Sequence, residues 1–224
     1  MASSKTKKDA RIKSPSHSDA NLLDKLRILA KTNPARASDE TWDWFTEFQS
    51  LDAHGHLPWL FSQGTAPESP RGDCEGMVLG LYGNSFLTLV DRLVRLGRVL
   101  GGIGWTGKTF DPDTGTGYNR LTPSSRVPMF LTMPWYGFKK IGGELIGFQF
   151  DHLIEPSPLL PGQEVRAIAY ANPKYKNPLV LPSTRDEIVE IIPNVYLGRV
   201  LLSGASRWRI VGYFALRQPV KKGS

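Results

Sequence analysis

Two hydrophobic periods divide this chain. Between Asn21 and Ala30, Leu22, Leu23, Leu26 and Leu29 recur at helical spacing, with Asp24, Lys25 and Arg27 off that face. Asn33-Pro34 ends this helix. Ser38-Asp39-Glu40-Thr41 then gives a cap-like start to a second helix, whose face carries Trp42, Phe45, Phe48 and Leu51. The pattern predicts an N-terminal helical hairpin, with helices over 21–30 and 39–52. Residues 54–73, with their His, Gly, Pro and Ser, read as a loop. A third helix is expected from Asn84 or Ser85 to about Val99, with Phe86, Leu89, Val90, Leu93 and Leu96 on its apolar stripe.

Elsewhere the period is that of strands. Strands are expected over 76–81, 103–110, 127–133, 144–154, 163–171, 186–192, 195–203 and 207–217, and Gly115-Thr116-Gly117 reads as a turn. The last strand has the strictest alternation: Trp208, Ile210, Gly212, Phe214 and Leu216 against Arg207, Arg209 and Arg217. This places Trp208, Ile210, Gly212 and Phe214 on one interior face. About eight mostly antiparallel strands can close into a barrel wide enough for one small ligand. The expected fold is therefore mainly β: a lipocalin-like antiparallel barrel with one inserted helix and the N-terminal hairpin. The expected organisation is a disordered basic tail over 1–18, the hairpin over 19–53 and the barrel over 54–220.

Composition narrows the partners. With 224 residues, 40% of them hydrophobic, the chain can bury a core without staples. Its net charge of +7 suggests nucleic acid until it is located. Lys5, Lys7, Lys8, Arg11 and Lys13 oppose only Asp9 in the tail, and Lys221 and Lys222 lie at the other end. The body is close to neutral, so no nucleic-acid partner is expected. No apolar run spans a membrane, no secretory h-region is present, and Cys74 is the single cysteine. These features predict a cytoplasmic protein without a membrane partner. Dinucleotide, Walker, GxSxG and HExxH motifs are missing, and no cofactor is expected.

Gly76-Met77-Val78-Leu79-Gly80, followed by Trp105-Thr106-Gly107-Lys108-Thr109-Phe110, resembles the GxWxG-domain family. The later Asp186-Glu187-Ile188, Tyr196-Leu197-Gly198 and Tyr213-Phe214-Ala215-Leu216 follow the order of that family's last strands. Val78 stands where the family has Trp. The resemblance covers roughly 75–217. It implies a lipocalin-type barrel with a cavity, and no defined chemistry.

The candidate site residues follow from these patterns. Trp105, Lys108, Tyr118, Trp135, Gln149, Trp208, Gly212 and Phe214 are candidates for binding a ligand, because a small-molecule site needs an apolar, aromatic wall with a few polar groups. Gly107 would let the Trp105 ring lie on a curved strand. Gly212, mid-strand, leaves room beside it. Lys108 is open to two readings, an ion-paired side chain or a ligand-facing one. Asp151, Glu190 and Tyr196 are candidates for acid–base work. Asp151 acts inside only if it shares the interior face with Gln149; otherwise it caps a strand end. Glu190, on an apolar face, is either paired with Arg199 or Arg126 or has a raised pKa. His54 and His56 have metal-ligand spacing, but the chain offers few further ligands, and no metal site is expected. These features predict binding of a small hydrophobic polyketide-, terpene- or lipid-like molecule. The leading expectation is a cofactor-independent isomerase or cyclase of secondary metabolism; the alternative is a non-catalytic carrier. The oligomeric state is left open.

Overall fold

The computed structural model describes residues 17–49, 55–68, 70–81, 104–126, 135–178, 181–204 and 207–219. Among these residues three α-helices, α1 (His17–Thr32), α2 (Pro34–Glu47) and α3 (Leu57–Ser62), precede nine strands. The strands are β1 (Gly72–Leu81), β2 (Trp105–Asp111), β3 (Thr116–Leu121), β4 (Lys139–Ile141), β5 (Glu144–Pro156), β6 (Glu164–Ala169), β7 (Thr184–Ile192), β8 (Val195–Ser203) and β9 (Trp208–Arg217). All neighbours are antiparallel. The sheet runs β3-β2-β1-β9-β8-β7-β6-β5, and β3 pairs back to β5, closing an eight-stranded barrel. Strand β4 adds an extra edge on β5. This is the lipocalin-like architecture the alternation predicts. Among the described residues no helix is long and apolar enough to cross a membrane.

The three helices pack outside the barrel, against β7, β8 and β9. Leu23, Leu26, Trp42, Phe45, Leu60 and Phe61 share one core with Val189, Leu197, Tyr213 and Ala215. At roughly 1.5–3 kcal/mol per fully buried large apolar side chain, this layer is a main source of stability. Beneath Phe61, Arg199 stacks on the ring at 4.2 Å and pairs with the fully buried Glu187 at 2.7 Å. A second apolar cluster fills the barrel, with Cys74, Phe110, Phe150, Ile168, Ile188 and Leu216 at its centre.

Several local expectations need correction. Asn33 ends α1 and also caps α2, its side chain accepting from the Arg36 backbone N–H at 3.1 Å with Pro34 in the first turn. Ser38 therefore lies inside the helix and is buried, rather than capping it. The expected loop over 54–73 holds α3, started by Pro58 and anchored by Leu57, Leu60 and Phe61. Gly117 lies in β3, not in a turn, because the tight turn closes earlier, at 112–115. The expected helix over 84–99 and strand over 127–133 lie outside the described residues.

Strand β9 is bulged. Val200 pairs with Gly212, but Leu201 pairs with Ile210, so Val211 is an extra residue in a β-bulge. The bulge breaks the alternation. Gly212, Phe214 and Leu216 face inward, while Ile210 joins the core under the helices and Trp208 shares its outer face.

Candidate small-molecule site

A cavity of about 210 Å³ occupies one half of the barrel, toward the end where β1 finishes and β2 begins. Its wall is formed by Val78, Trp105, Tyr170, Leu181, Val200 and Phe214, and its polar floor by Lys108, Asn119, Thr184 and Asp186. The rings of Trp105 and Phe214 meet edge to face at 5.6 Å. Each ring lies on a glycine of a neighbouring strand. A Cβ on Gly76 would stand 2.6 Å from the Trp105 ring, and one on Gly198 would collide with Phe214. The bed of Trp105 is thus Gly76, not Gly107. Gly107 has φ +143° and allows β2 to approach the Cys74 carbonyl of β1.

At the floor lies a hydrogen-bonded quartet. Lys108 and Asp186 come from β2 and β7, which stand four strands apart in the ring of eight, on opposite walls. Lys108 is 2% exposed and Asp186 4%. Lys108 Nζ lies 2.9 Å from Asp186 Oδ2 and donates to Asn119 Oδ1 at 2.8 Å and to Tyr170 OH at 2.6 Å. Tyr170 OH donates to Asp186 Oδ2 at 2.7 Å, and Trp105 Nε1 donates to Asn119 Oδ1 at 3.0 Å. Four rings, of Trp105, Phe150, Tyr170 and Phe214, hold the Lys108 ammonium at 5.2–5.7 Å. Burial pulls the Lys108 pKa down, and Asp186 opposes that shift. Burial pushes the Tyr170 hydroxyl well up, with Asp186 adding to the shift. Tyr170 therefore remains a neutral donor.

Of the sequence candidates, the structure brings Trp105, Lys108 and Phe214 together at this cavity. Lys108 has the ion-paired role of its first reading, and it is also part of the cavity lining. The other candidates lie elsewhere. Tyr118 and Gln149 line a separate groove with Tyr136 and Lys139, and Trp135 is 71% exposed. Asp151 shares its face with Gln149, but that face is the outer one. There it accepts from Asn172 Nδ2 at 2.9 Å and from the Tyr175 hydroxyl, clasping the 172–175 turn. Trp208 stands opposite Ser203 at a strand end, and Gly212 is part of the wall without lining the cavity.

Glu190 and Tyr196 belong to the opposite end of the barrel. Tyr196 OH donates to Gln218 Oε1 at 2.8 Å, and burial pushes its pKa up. Glu190 is paired with neither Arg199 nor Arg126; its Oε1 accepts the Asn194 backbone N–H at 2.9 Å, and burial raises its pKa. That end is strapped by residues 65–68. Thr65 and Glu190 exchange backbone hydrogen bonds, and the buried Arg166 donates to the carbonyls of Pro67, at 2.8 Å, and Glu68. His56 sits 2.7 Å from Asp19, tying α3 to α1, and His54 lies outside the described residues.

The chain matches no protein-family model, no curated protein and no solved structure. Asp186 and Tyr170 line the cavity without having been singled out as site residues in the sequence. A signal for Asp186 existed, since it alternates with Ile188 on a strand with an apolar inner face.

Proposed function

We propose that the barrel binds a small, mainly apolar molecule at the cavity between Trp105, Phe214 and the Lys108–Asp186 floor. The observation that carries this reading is the cavity itself: about 210 Å³, walled by aromatic and aliphatic groups, with a charged pair at one end. An apolar protein cavity of about 150 Å³ is already large enough to bind benzene. This one suits a body of one or two fused rings. An apolar wall with a few placed polar groups is the usual build of a small-molecule site. The lone, buried Cys74 is consistent with a reducing, cytoplasmic setting.

Binding without chemistry is favoured over an isomerase or cyclase by one feature. Every proton of the Lys108 ammonium already has an acceptor within the quartet. Among the described residues the site thus holds no free donor to stabilise a developing oxyanion, as cofactor-free carbonyl chemistry requires.

The test is calorimetric titration of the full chain with naphthalene, beside a Val78→Trp variant that fills the cavity. Saturable binding at one site, lost in Val78→Trp, supports the proposal. Equal binding by both proteins, or by neither, removes it.

A further inference from the structure

We propose that the cavity selects ligands whose polar end is a neutral hydrogen-bond donor, a hydroxyl, enol or N–H group, delivered to Asp186 Oδ1. This rests on the small-molecule reading above and names the class of molecule.

Within the quartet of Lys108, Asn119, Tyr170 and Asp186 every polar atom is saturated except one, and Thr184 beside it already gives its proton to the Leu181 carbonyl at 2.7 Å. Lys108 Nζ has three protons and three acceptors. Asn119 Oδ1 accepts from Lys108 and from Trp105, which fills both lone pairs. Asn119 Nδ2 gives its two protons to the Phe148 carbonyl at 3.0 Å and to Tyr170 OH at 3.3 Å. Tyr170 spends its single proton on Asp186 Oδ2. That oxygen therefore has two donors, while no donor among the described residues reaches Oδ1. Asp186 is 4% exposed and forms part of the cavity lining. That oxygen keeps its acceptor capacity, and a donor arriving in the cavity supplies the hydrogen bond that the protein does not.

The same inventory excludes other head groups. A carbonyl or ether brings only acceptors, and the floor has no proton left to offer it. A carboxylate would face the charge of Asp186. A cationic amine would meet the Lys108 ammonium, which already occupies the faces of all four surrounding rings. Lys108 and Asp186 neutralise one another, so the floor has no net charge for an ionic ligand to match. A neutral donor alone completes the network.

The test uses four probes of one shape on the full chain at neutral pH: naphthalene, 2-naphthol, 2-methoxynaphthalene and 2-naphthoate. A hydrogen bond to a charged acceptor is worth roughly a tenfold gain in affinity or more. The expected result is 2-naphthol binding about tenfold or more tighter than naphthalene, with 2-methoxynaphthalene no better than naphthalene and 2-naphthoate weakest. That preference should vanish in Val78→Trp, which places it in the cavity, and should fall in a folded Asp186→Asn variant. The wild-type ranking decides the matter even if Asp186→Asn does not fold. Naphthalene and 2-naphthol binding equally would overturn this inference and leave the small-molecule reading standing. Binding of no probe would remove both.

Discussion

Lys108 Nζ and Asp186 Oδ2 lie 2.9 Å apart in the barrel interior, joining β2 to β7 across its full width. Both groups are almost wholly buried, so each depends on the other to offset its lost hydration. Removing one partner strands a charge. Asp186→Leu and Lys108→Met should each cost about 3–5 kcal/mol, whereas the double variant should recover most of that loss and fold stably. Urea unfolding of the three variants, combined as a double-mutant cycle, measures this. Additive losses in the double variant would show that the pair is not coupled.

Filling the cavity is the converse test. Val78 presents its side chain to the cavity from β1. Val78→Trp should retain the fold, with a stability change within about 1–3 kcal/mol, and should abolish binding of naphthalene-sized probes. Thermal melts beside titrations check both halves. Collapse of the fold would mean that the space is smaller in solution than the geometry gives.

Cys74 reports on opening of the barrel. It is fully buried, and burial pushes its thiol pKa up to about 12. The native protein should therefore resist an aromatic disulfide reagent at neutral pH, and denaturant should release one thiol per chain. Rapid labelling under native conditions would contradict the buried placement.

His152 sets a pH dependence at the strapped end. Its Nδ1 accepts from Arg166 at 3.0 Å, and its buried Nε2 has no hydrogen-bond partner among the described residues. Burial, and then the Arg166 charge, lower its pKa from 6.5. The unfolded chain therefore binds more protons than the folded one between the lowered pKa and 6.5. This contribution to stability is fully present above 6.5 and is lost as pH falls through the folded pKa. Chemical denaturation across that range should show stability rising with pH, and His152→Gln should flatten the slope. An unchanged slope in the variant would assign it to other groups.

The strands and the closure of the barrel were legible because most inner and outer positions alternate, as in Tyr196, Gly198 and Val200 against Leu197, Arg199 and Leu201 on β8. The site was less legible because bulges rewrite that alternation where it matters. Trp105 and Lys108 are three residues apart and should face opposite sides of β2, yet the register shift between Trp105 and Gly107 turns both inward onto Asn119 Oδ1. The shift at Val211 likewise moves Trp208 and Ile210 off the inner face. Asp151 and Gln149 share a strand face as expected, but nothing local says which face is inside. The pairing of Lys108 with Asp186 spans 78 residues and half the barrel circumference, and only the closed topology brings them together.

The most direct measurement of the central claim is a crystal structure of the full chain soaked with 2-naphthol. The account predicts the fused ring between Trp105, Phe214 and Val78, with its oxygen within hydrogen-bond distance of Asp186 Oδ1. A cavity filled by the protein's own side chains, with the probe bound elsewhere or not at all, would contradict it.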